Sequence, residues 1–391
     1  MGPAIPAARR ARLRLWPACG PGMLGEGAIM KSEVSPEKTV SGLAGMSPAY
    51  FSLAMATGIV SLAAFLMGQR ALALVLHYLN ITQYAVLCAL YAVRALRYPQ
   101  RFFGDMFAHS SGPGYFTAVA ATGVLAGQFM VIGGHVGIGT ILWLLTCLLW
   151  GALTYTILTA LTIRREKPAL EKGINGGWLL AVVATQAVAV CSALLAARTG
   201  ASLRPALNLF ALSMWLWGGM LYIWLMAMIF YRYTFLPLAP ADLVPSYWIN
   251  MGAMAISTLA GALLIVNAPQ VPYLFSLLPF LKGFTFLFWS VGTWWIPLLL
   301  MLGAWRYGYK RFPLRYDPIY WSVVFPLGMY AVCTWQMDRA LGLGLLDPLS
   351  RASFCVALAA WAITFLGMLH AMIGGLRQRS LHAARPGAEN L

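Results

Sequence analysis

Acidic residues are scarce in this sequence of 391 residues, in which 11 Asp and Glu stand against 27 Lys and Arg. All 11 lie outside the apolar stretches that are long enough to cross a bilayer. Proton relays and many cation pathways depend on carboxylates within the membrane. Their absence from these stretches argues against a cation channel and against a carboxylate-based proton pump.

The sequence also lacks the motifs of common enzymes and metal sites. Its six cysteines give no disulfide framework, because five fall within apolar stretches and only Cys19 lies outside them. It has no Cys/His metal spacing and no Gly-rich phosphate loop before a helix. We therefore expect no enzymatic activity, no metal and no cofactor. His77 and His370, which lie within apolar stretches, are predicted to be packing or lipid-interface residues.

Hydrophobic residues, by contrast, make up 60% of the chain, and charged residues make up 10%. This composition is typical of an integral membrane protein. About 20 apolar residues suffice for a helix that spans a bilayer. We count ten such stretches and predict an all-α membrane protein with ten transmembrane helices, at 49–67, 72–93, 114–133, 136–161, 176–197, 206–231, 246–266, 281–305, 318–336 and 352–373.

The basic residues are unevenly distributed about these spans. If the N-terminus is cytoplasmic, 21 of the 27 Lys and Arg lie on the cytoplasmic side. This positive-inside bias predicts a multi-pass protein of the cell membrane with both termini in the cytoplasm. The uneven distribution also explains the high net charge without nucleic-acid binding. We predict a disordered basic tail at 1–46, a transmembrane domain at 47–376 and a short cytoplasmic tail at 377–391.

Four of the odd-numbered spans begin with the same pattern, Pro-x-Tyr-[Phe/Trp]. It starts at Pro48, Pro113, Pro245 and Pro318, and the fifth span begins with a degenerate version that ends in Trp178. One repeat therefore contains two spans, so all five repeats share one orientation. Parallel repeats can surround an axis along the membrane normal. We predict five helical hairpins around a central pore, with the odd helices inside because the even ones carry the bulky side chains.

The repeated prolines predict helix starts, because the fixed dihedral of proline suits the first helical turn. Ser47 and Asp317 are predicted to cap two of these helices. All five inner helices would then begin at the cytoplasmic face, where their unpaired N–H groups and the loop arginines and lysines attract anions. The tyrosines and tryptophans of the pattern are predicted to form an interfacial aromatic belt rather than a ligand site.

Small and weakly polar residues recur at matched depths in the odd spans. Two interpretations are open: close packing between helices, or the lining of a lumen. The candidate lining residues are Met55, Thr57, Gly58, Ala120, Thr122, Gly123, Thr185, Gly252 and Gly328.

The ninth span contains the stretch VVFPLG, in which Phe325 aligns with Met55, Ala120 and Gly252 of other repeats. Pro326 removes the backbone donor for the Ser322 carbonyl, and a carbonyl without a partner is tolerated toward a wet lumen but not toward lipid. Phe325 and Pro326 are therefore the candidate pore gate. The alternative is a core phenylalanine beside a tolerated kink.

The runs SPAYFSLAMATGIVSLA, PSYWINMGAMAISTLAGA and YWSVVFPLGMYAVCTW resemble the tellurite-resistance/dicarboxylate transporter family, over about residues 46–376. This family includes tellurite-resistance proteins, malate and sulfite transporters and plant slow anion channels. The resemblance implies a homotrimer with one pore per subunit and a phenylalanine plug from the ninth helix, at Phe325. Plant versions carry an aromatic residue where this chain has Val323, and the FPLG wording is closer to the malate and sulfite branch.

The sequence thus predicts passive transport of a small anion through a phenylalanine-gated pore, with no nucleic-acid partner. The substrate could be a C4-dicarboxylate such as malate, sulfite, tellurite, or chloride and nitrate. A proton-coupled carrier on the same fold is the alternative, followed by a membrane protein that transports nothing.

Overall fold

The computed structural model describes residues 42–314 and 316–383, with side chains up to residue 374. The predicted tail at 1–46 falls almost wholly outside this part of the chain. Ten long helices account for most of the described residues: α1 (Ser52–Leu66), α2 (Arg70–Arg97), α3 (Phe116–Val131), α4 (Val136–Ile163), α5 (Leu180–Ala196), α6 (Arg204–Phe235), α7 (Ile249–Asn267), α8 (Leu278–Gly303), α9 (Trp321–Leu341) and α10 (Asp347–Ala383).

Nine helices in the described part of the chain are long and apolar enough to cross a membrane, which confirms an all-α membrane protein. The nine include every long helix except α9. This helix has 21 residues, enough for about 32 Å, but Gln336, Asp338 and Arg339 make its last turns polar. Its side chains are mostly buried against other helices, so α9 does not depend on an apolar surface of its own.

The five odd-numbered helices begin as the proline pattern predicts. A single 3-10 turn precedes each of them, and the prolines of the pattern lie in its first positions. The predicted caps are confirmed: the Ser47 and Asp317 side chains accept hydrogen bonds from the N–H groups of Ala49 and Ile319. Asn175 caps the turn before α5 in the same way, by accepting from Gly177.

Burial separates the odd helices from the even ones. The most apolar stretches of α1, α3, α5 and α7 are 72% to 94% buried, whereas those of the even helices are 11% to 44% buried. α1 packs against α3, α3 against α5, α5 against α7, α7 against α9, and α9 against α1. The 3-10 turns before these helices contact one another in the same cyclic order, so the five buried helices begin at one end of the protein.

The exposed helices form an outer layer. Each even helix packs along the odd helix that precedes it in the chain. Each also hydrogen-bonds to the following buried helix through an aromatic side chain. The five bonds run from Tyr84 to Thr122, Trp150 to Thr185, Trp215 to the Ser257 carbonyl, Trp289 to Thr334, and Trp361 to Thr57, which joins α10 back to α1.

Three predicted boundaries were wrong by several residues. α9 continues past 336 to Leu341, so Asp338 lies in its last turn, where its carboxylate accepts the N–H groups of Leu345 and Leu346. α2 continues to Arg97 and includes the buried Arg94. α10 continues to Ala383, well into the segment 377–391 that was predicted to be a tail. Charged residues near the helix ends explain the short predictions for α2 and α9, because composition alone ends a span near the first charge.

Candidate functional site

A cavity of about 110 Å³ lies between the five buried helices. Each of the five contributes to its wall: Ile59, Leu62 and Leu66 from α1; Gly123, Val124, Gly127 and Val131 from α3; Ala187, Val190, Cys191 and Leu194 from α5; Ile256, Leu259 and Leu263 from α7; and Met329, Val332 and Gln336 from α9. Apart from the amide of Gln336 and the thiol of Cys191, the wall is apolar. The cavity occupies the second halves of these helices, away from the end at which they begin.

The wall residues of each helix recur at intervals of three, four or seven positions, so they lie on one face of that helix. Counting back one turn along each face gives one residue per helix: Met55, Ala120, Val183, Gly252 and Phe325. We call these five residues the Phe325 layer. Every one of them is four positions before a cavity-lining residue and is buried. The layer therefore lies one turn from the cavity, on the side where the helices begin.

The contacts of α9 fix the direction of Phe325. Pro326 faces α7, because a Cβ added at Gly252 would lie 2.7 Å from its Cγ. Gly328 faces α1, where an added Cβ would lie 2.8 Å from Ile59 Cγ2. Thr334, about two and a half turns beyond Phe325 and so on the opposite face, accepts a hydrogen bond from Trp289 of the outer helix α8. Phe325 therefore points between α7 and α1, toward the axis.

Phe325 is the largest side chain in its layer and is 1% exposed. Its four partners include a glycine, an alanine and a valine. The small partners leave the space that the phenyl ring fills, and no polar side chain belongs to the layer.

The threonines among the candidate lining residues have partners away from the axis. Thr57 accepts a hydrogen bond from Trp361 Nε1 at 3.0 Å, and Thr185 accepts one from Trp150 Nε1 at 2.9 Å. Thr122 pairs with the Tyr84 hydroxyl at 2.7 Å. These hydroxyl groups join the buried helices to the outer layer.

The candidate glycines lie at close contacts between helices. A Cβ added at Gly58 would lie 2.5 Å from Val124 Cγ1 and 2.7 Å from Asn80 Nδ2. Gly252 and Gly328 meet α9 and α1 as described above. Gly123 lines the cavity and also lies close to α5, where an added Cβ would be 3.0 Å from Ala187 Cβ. The structure thus brings Gly123 to the cavity, places Met55, Ala120, Gly252 and Phe325 in one layer, and gives Gly58 and Gly328 contacts typical of helix packing.

Three buried arginines lie near the starts of the buried helices, each just beyond the end of a predicted span and therefore in a predicted loop. Arg94 at the end of α2 donates to the hydroxyl of Tyr115, and Arg232 in α6 donates to that of Tyr247. Both tyrosines belong to the repeated pattern, and they are buried rather than interfacial. Arg306 follows α8 and is 6% exposed. The sequence does contain a signal for these buried arginines, because an arginine at the end of an outer helix precedes three of the Pro-x-Tyr-[Phe/Trp] patterns.

Positive charge also collects on the surface at this end. His109, Arg164, Lys167 and Lys172 line an open cavity of about 420 Å³ between the segment before α3 and the segment after α4, where Glu166 offsets one of the three positive charges. Burial, together with the neighbouring Arg164 and Lys167, lowers the pKa of His109 below its ordinary value. His109 is therefore neutral at pH 7, and the arginine and lysines supply the positive field.

The fold and its composition define a multi-pass helical membrane protein in which five buried helices enclose an apolar cavity. A family model described as voltage-dependent anion channel matches residues 45–369. The chain therefore belongs to the voltage-dependent anion channel family. This confirms the family resemblance found in the sequence.

Similar proteins agree with a role in transport. Two uncharacterized transporters of Methanocaldococcus jannaschii are 22% and 23% identical to this chain, over 83% and 82% of its length and over 94% and 91% of their own. An uncharacterized membrane protein of Mycobacterium tuberculosis is 41% identical over 165 residues, which is 42% of this chain and 83% of that protein.

Proposed function

We propose that this protein conducts small anions passively along the axis of its five buried helices and that Phe325 gates the pathway. The observation that carries the proposal is the position of Phe325. Its ring lies on the same face of α9 as the cavity residues Met329, Val332 and Gln336, and it is the largest side chain of the layer one turn from the cavity. An apolar constriction excludes water and blocks ions until the ring moves aside.

The proposed architecture is ten transmembrane helices arranged as five hairpins around a central pore. The cyclic contacts of the buried helices support this arrangement, as does the helix that packs outside each of them. We include α9 as the tenth spanning helix, because 21 residues are long enough to cross the hydrocarbon core, Asp338 is buried, and the exposed Arg339 lies only two residues from the end of the helix. We also propose a homotrimer in the cell membrane with both termini in the cytoplasm.

The electrostatics at the end where the helices begin, and of the cavity wall, support anions as the substrate. Five helices begin at one end, so their N-terminal N–H groups and dipoles favour negative charge there. Asp317 offsets part of this field by capping one of the five helices. Arg164, Lys167 and Lys172 add positive charge at the surface. The apolar wall of the cavity offers no charged group that would hold an anion too tightly to leave.

A flux panel in proteoliposomes tests the function and ranks the proposed substrates, which are chloride, nitrate, sulfite, tellurite and malate as a C4-dicarboxylate. Vesicles with and without an imposed pH gradient are compared at a membrane potential set by a potassium ionophore. We expect anion uptake that follows the electrochemical gradient of the anion alone. Uptake that follows the pH gradient instead would support a proton-coupled carrier. Cation-selective flux, or no flux above empty vesicles, would refute the proposal.

A further inference from the structure

The three buried arginines described above differ in how their charges are compensated. Arg94 forms an ion pair with Asp105, and Arg232 lies 3.9 Å from Asp242. Arg306 has no carboxylate within 4 Å among the residues that the structure describes. A buried cation without an anionic partner is costly in free energy. Asp317 is not the counter-ion of Arg306, because its carboxylate caps the turn before α9.

The protein compensates Arg306 only with neutral groups. Its Nη1 donates to the Leu243 carbonyl, and its guanidinium lies 4.3 Å from the ring centroid of Phe312 and 5.1 Å from that of Tyr307. Its Nε is buried without a hydrogen-bond partner in the described part of the chain, as are those of Arg94 and Arg232, so the missing carboxylate is what sets Arg306 apart. Arg306 lies in a π-helical turn, Ala304–Tyr309, and single π-helical turns are frequent at functional sites.

A cavity of about 310 Å³ adjoins this guanidinium. The start of α7, the end of α8 and the start of α9 enclose it. Tyr307 and Tyr320, whose hydroxyl groups lie 2.8 Å apart, join Arg306 at its polar part. Leu299, Leu300, Leu302 and Gly303 form an apolar wall along α8, and Leu300 is exposed on the outside of that helix.

This cavity is separate from the proposed pathway. Val323 is its lining residue within α9, and Val323 lies on the side of the helix turned away from Phe325, because two residues correspond to about 200° of rotation. The cavity thus opens outside the ring of buried helices, toward the membrane. Its shape combines one cation and two hydroxyl groups with an apolar wall that reaches the lipid-facing surface.

We propose that this cavity binds an anionic phospholipid, one per chain. The phosphate accepts hydrogen bonds from Arg306 and from the one tyrosine hydroxyl of the Tyr307–Tyr320 pair that does not donate to the other, and an acyl chain follows the leucines of α8. The phosphate takes the place that Asp105 and Asp242 hold beside the other two arginines. The proposal does not depend on the transport activity.

Two variants remove the proposed site by different means. Arg306→Gln removes the charge. Gly303→Leu fills the cavity, and it fits the fold because nothing lies within 4 Å of a Cβ added at Gly303. Their matched controls are Lys310→Gln, a neighbouring exposed cation, and Gly283→Leu, which also has open space at its Cβ but lies outside the cavity on the same helix.

Lipid retention is measured by native mass spectrometry and by the melting temperature of delipidated protein with added phosphatidylglycerol, phosphatidylcholine or inorganic phosphate. We expect phosphatidylglycerol to bind and stabilise the wild type and both controls, and to bind Arg306→Gln and Gly303→Leu about ten- to a hundredfold more weakly. Equal stabilisation by phosphatidylcholine, or by inorganic phosphate alone, would overturn the proposal. So would wild-type binding by Gly303→Leu, a result that stands even if Arg306→Gln does not fold.

Discussion

Replacing Phe325 by alanine tests the gate most directly. In the closed protein the ring is 1% exposed, and truncating a buried phenylalanine costs about 3–5 kcal/mol. In the proposed gate, the ring must leave this packing before anions pass, so some of that free energy forms the barrier to opening. Alanine removes the need for the movement. If between about 1.4 and 4.2 kcal/mol of the barrier is lost, anion flux rises about tenfold to a thousandfold.

Phe116→Ala provides the matched control. Phe116 is also 1% exposed and lies on a buried helix, but it faces Thr154, Ile157 and Trp178 away from the axis. Both variants should lose similar stability, and only Phe325→Ala should gain chloride efflux from proteoliposomes held at a fixed potential. A folded Phe325→Ala protein with wild-type efflux, or an equal gain in Phe116→Ala, would refute the gate.

Four further outcomes follow from the contacts. Gly58→Ala should cost about 1–3 kcal/mol of stability in thermal unfolding, because its Cβ would meet Val124 and Asn80. The control Gly283→Ala should cost little, and equal melting temperatures of the two variants would contradict the packing role of Gly58. Thr57→Val should cost about 0.5–1.5 kcal/mol by leaving Trp361 without its acceptor, with unchanged anion selectivity in the flux panel; altered selectivity would place Thr57 in the pathway. Asp105→Asn should lower stability by about 1.5–3 kcal/mol, since Arg94 then loses its counter-ion, and the exposed Asp347→Asn should lower it by less than about 1 kcal/mol. In a background without the exposed Cys88 and Cys355, a cysteine at Ser110 should be labelled from the cytoplasmic side and one at Gly200 from the opposite side; the reverse pattern would overturn the topology.

The sequence predicted the helical class, the helix starts and the family, because these depend on local signals. The prolines of the repeated pattern and the caps Ser47 and Asp317 act within one turn of the chain. Alignment of the repeats also placed Phe325 level with Met55, Ala120 and Gly252. The depth of a residue along a helix follows from counting residues from the start of the helix, so aligned repeats are enough to predict which residues lie at the same depth.

The rotation of the buried helices could not be predicted in the same way. α5 is 94% buried in its most apolar stretch, so its residues are apolar or small on every side and no polar face indicates the outside. Thr185 was therefore grouped with candidate lining residues, although its hydroxyl meets Trp150. The burial of the three arginines was not predicted for a related reason. A charged residue near the end of a helix is assigned to a loop unless its partners are known.

The bond between Trp361 and Thr57 joins the last long helix to the first across 304 positions of the chain. A hydrogen bond from an aromatic side chain of an outer helix to the next buried helix also occurs at the other four junctions. The ten helices therefore form a closed ring with five similar junctions, and the first and the last of them meet at one of these junctions. A circular permutant that begins at α3 and ends at α2 would keep every junction, and each helix would keep its direction. In the natural order, α1 is made first but acquires its neighbours α9 and α10 last, so the ring closes only when the tenth helix arrives.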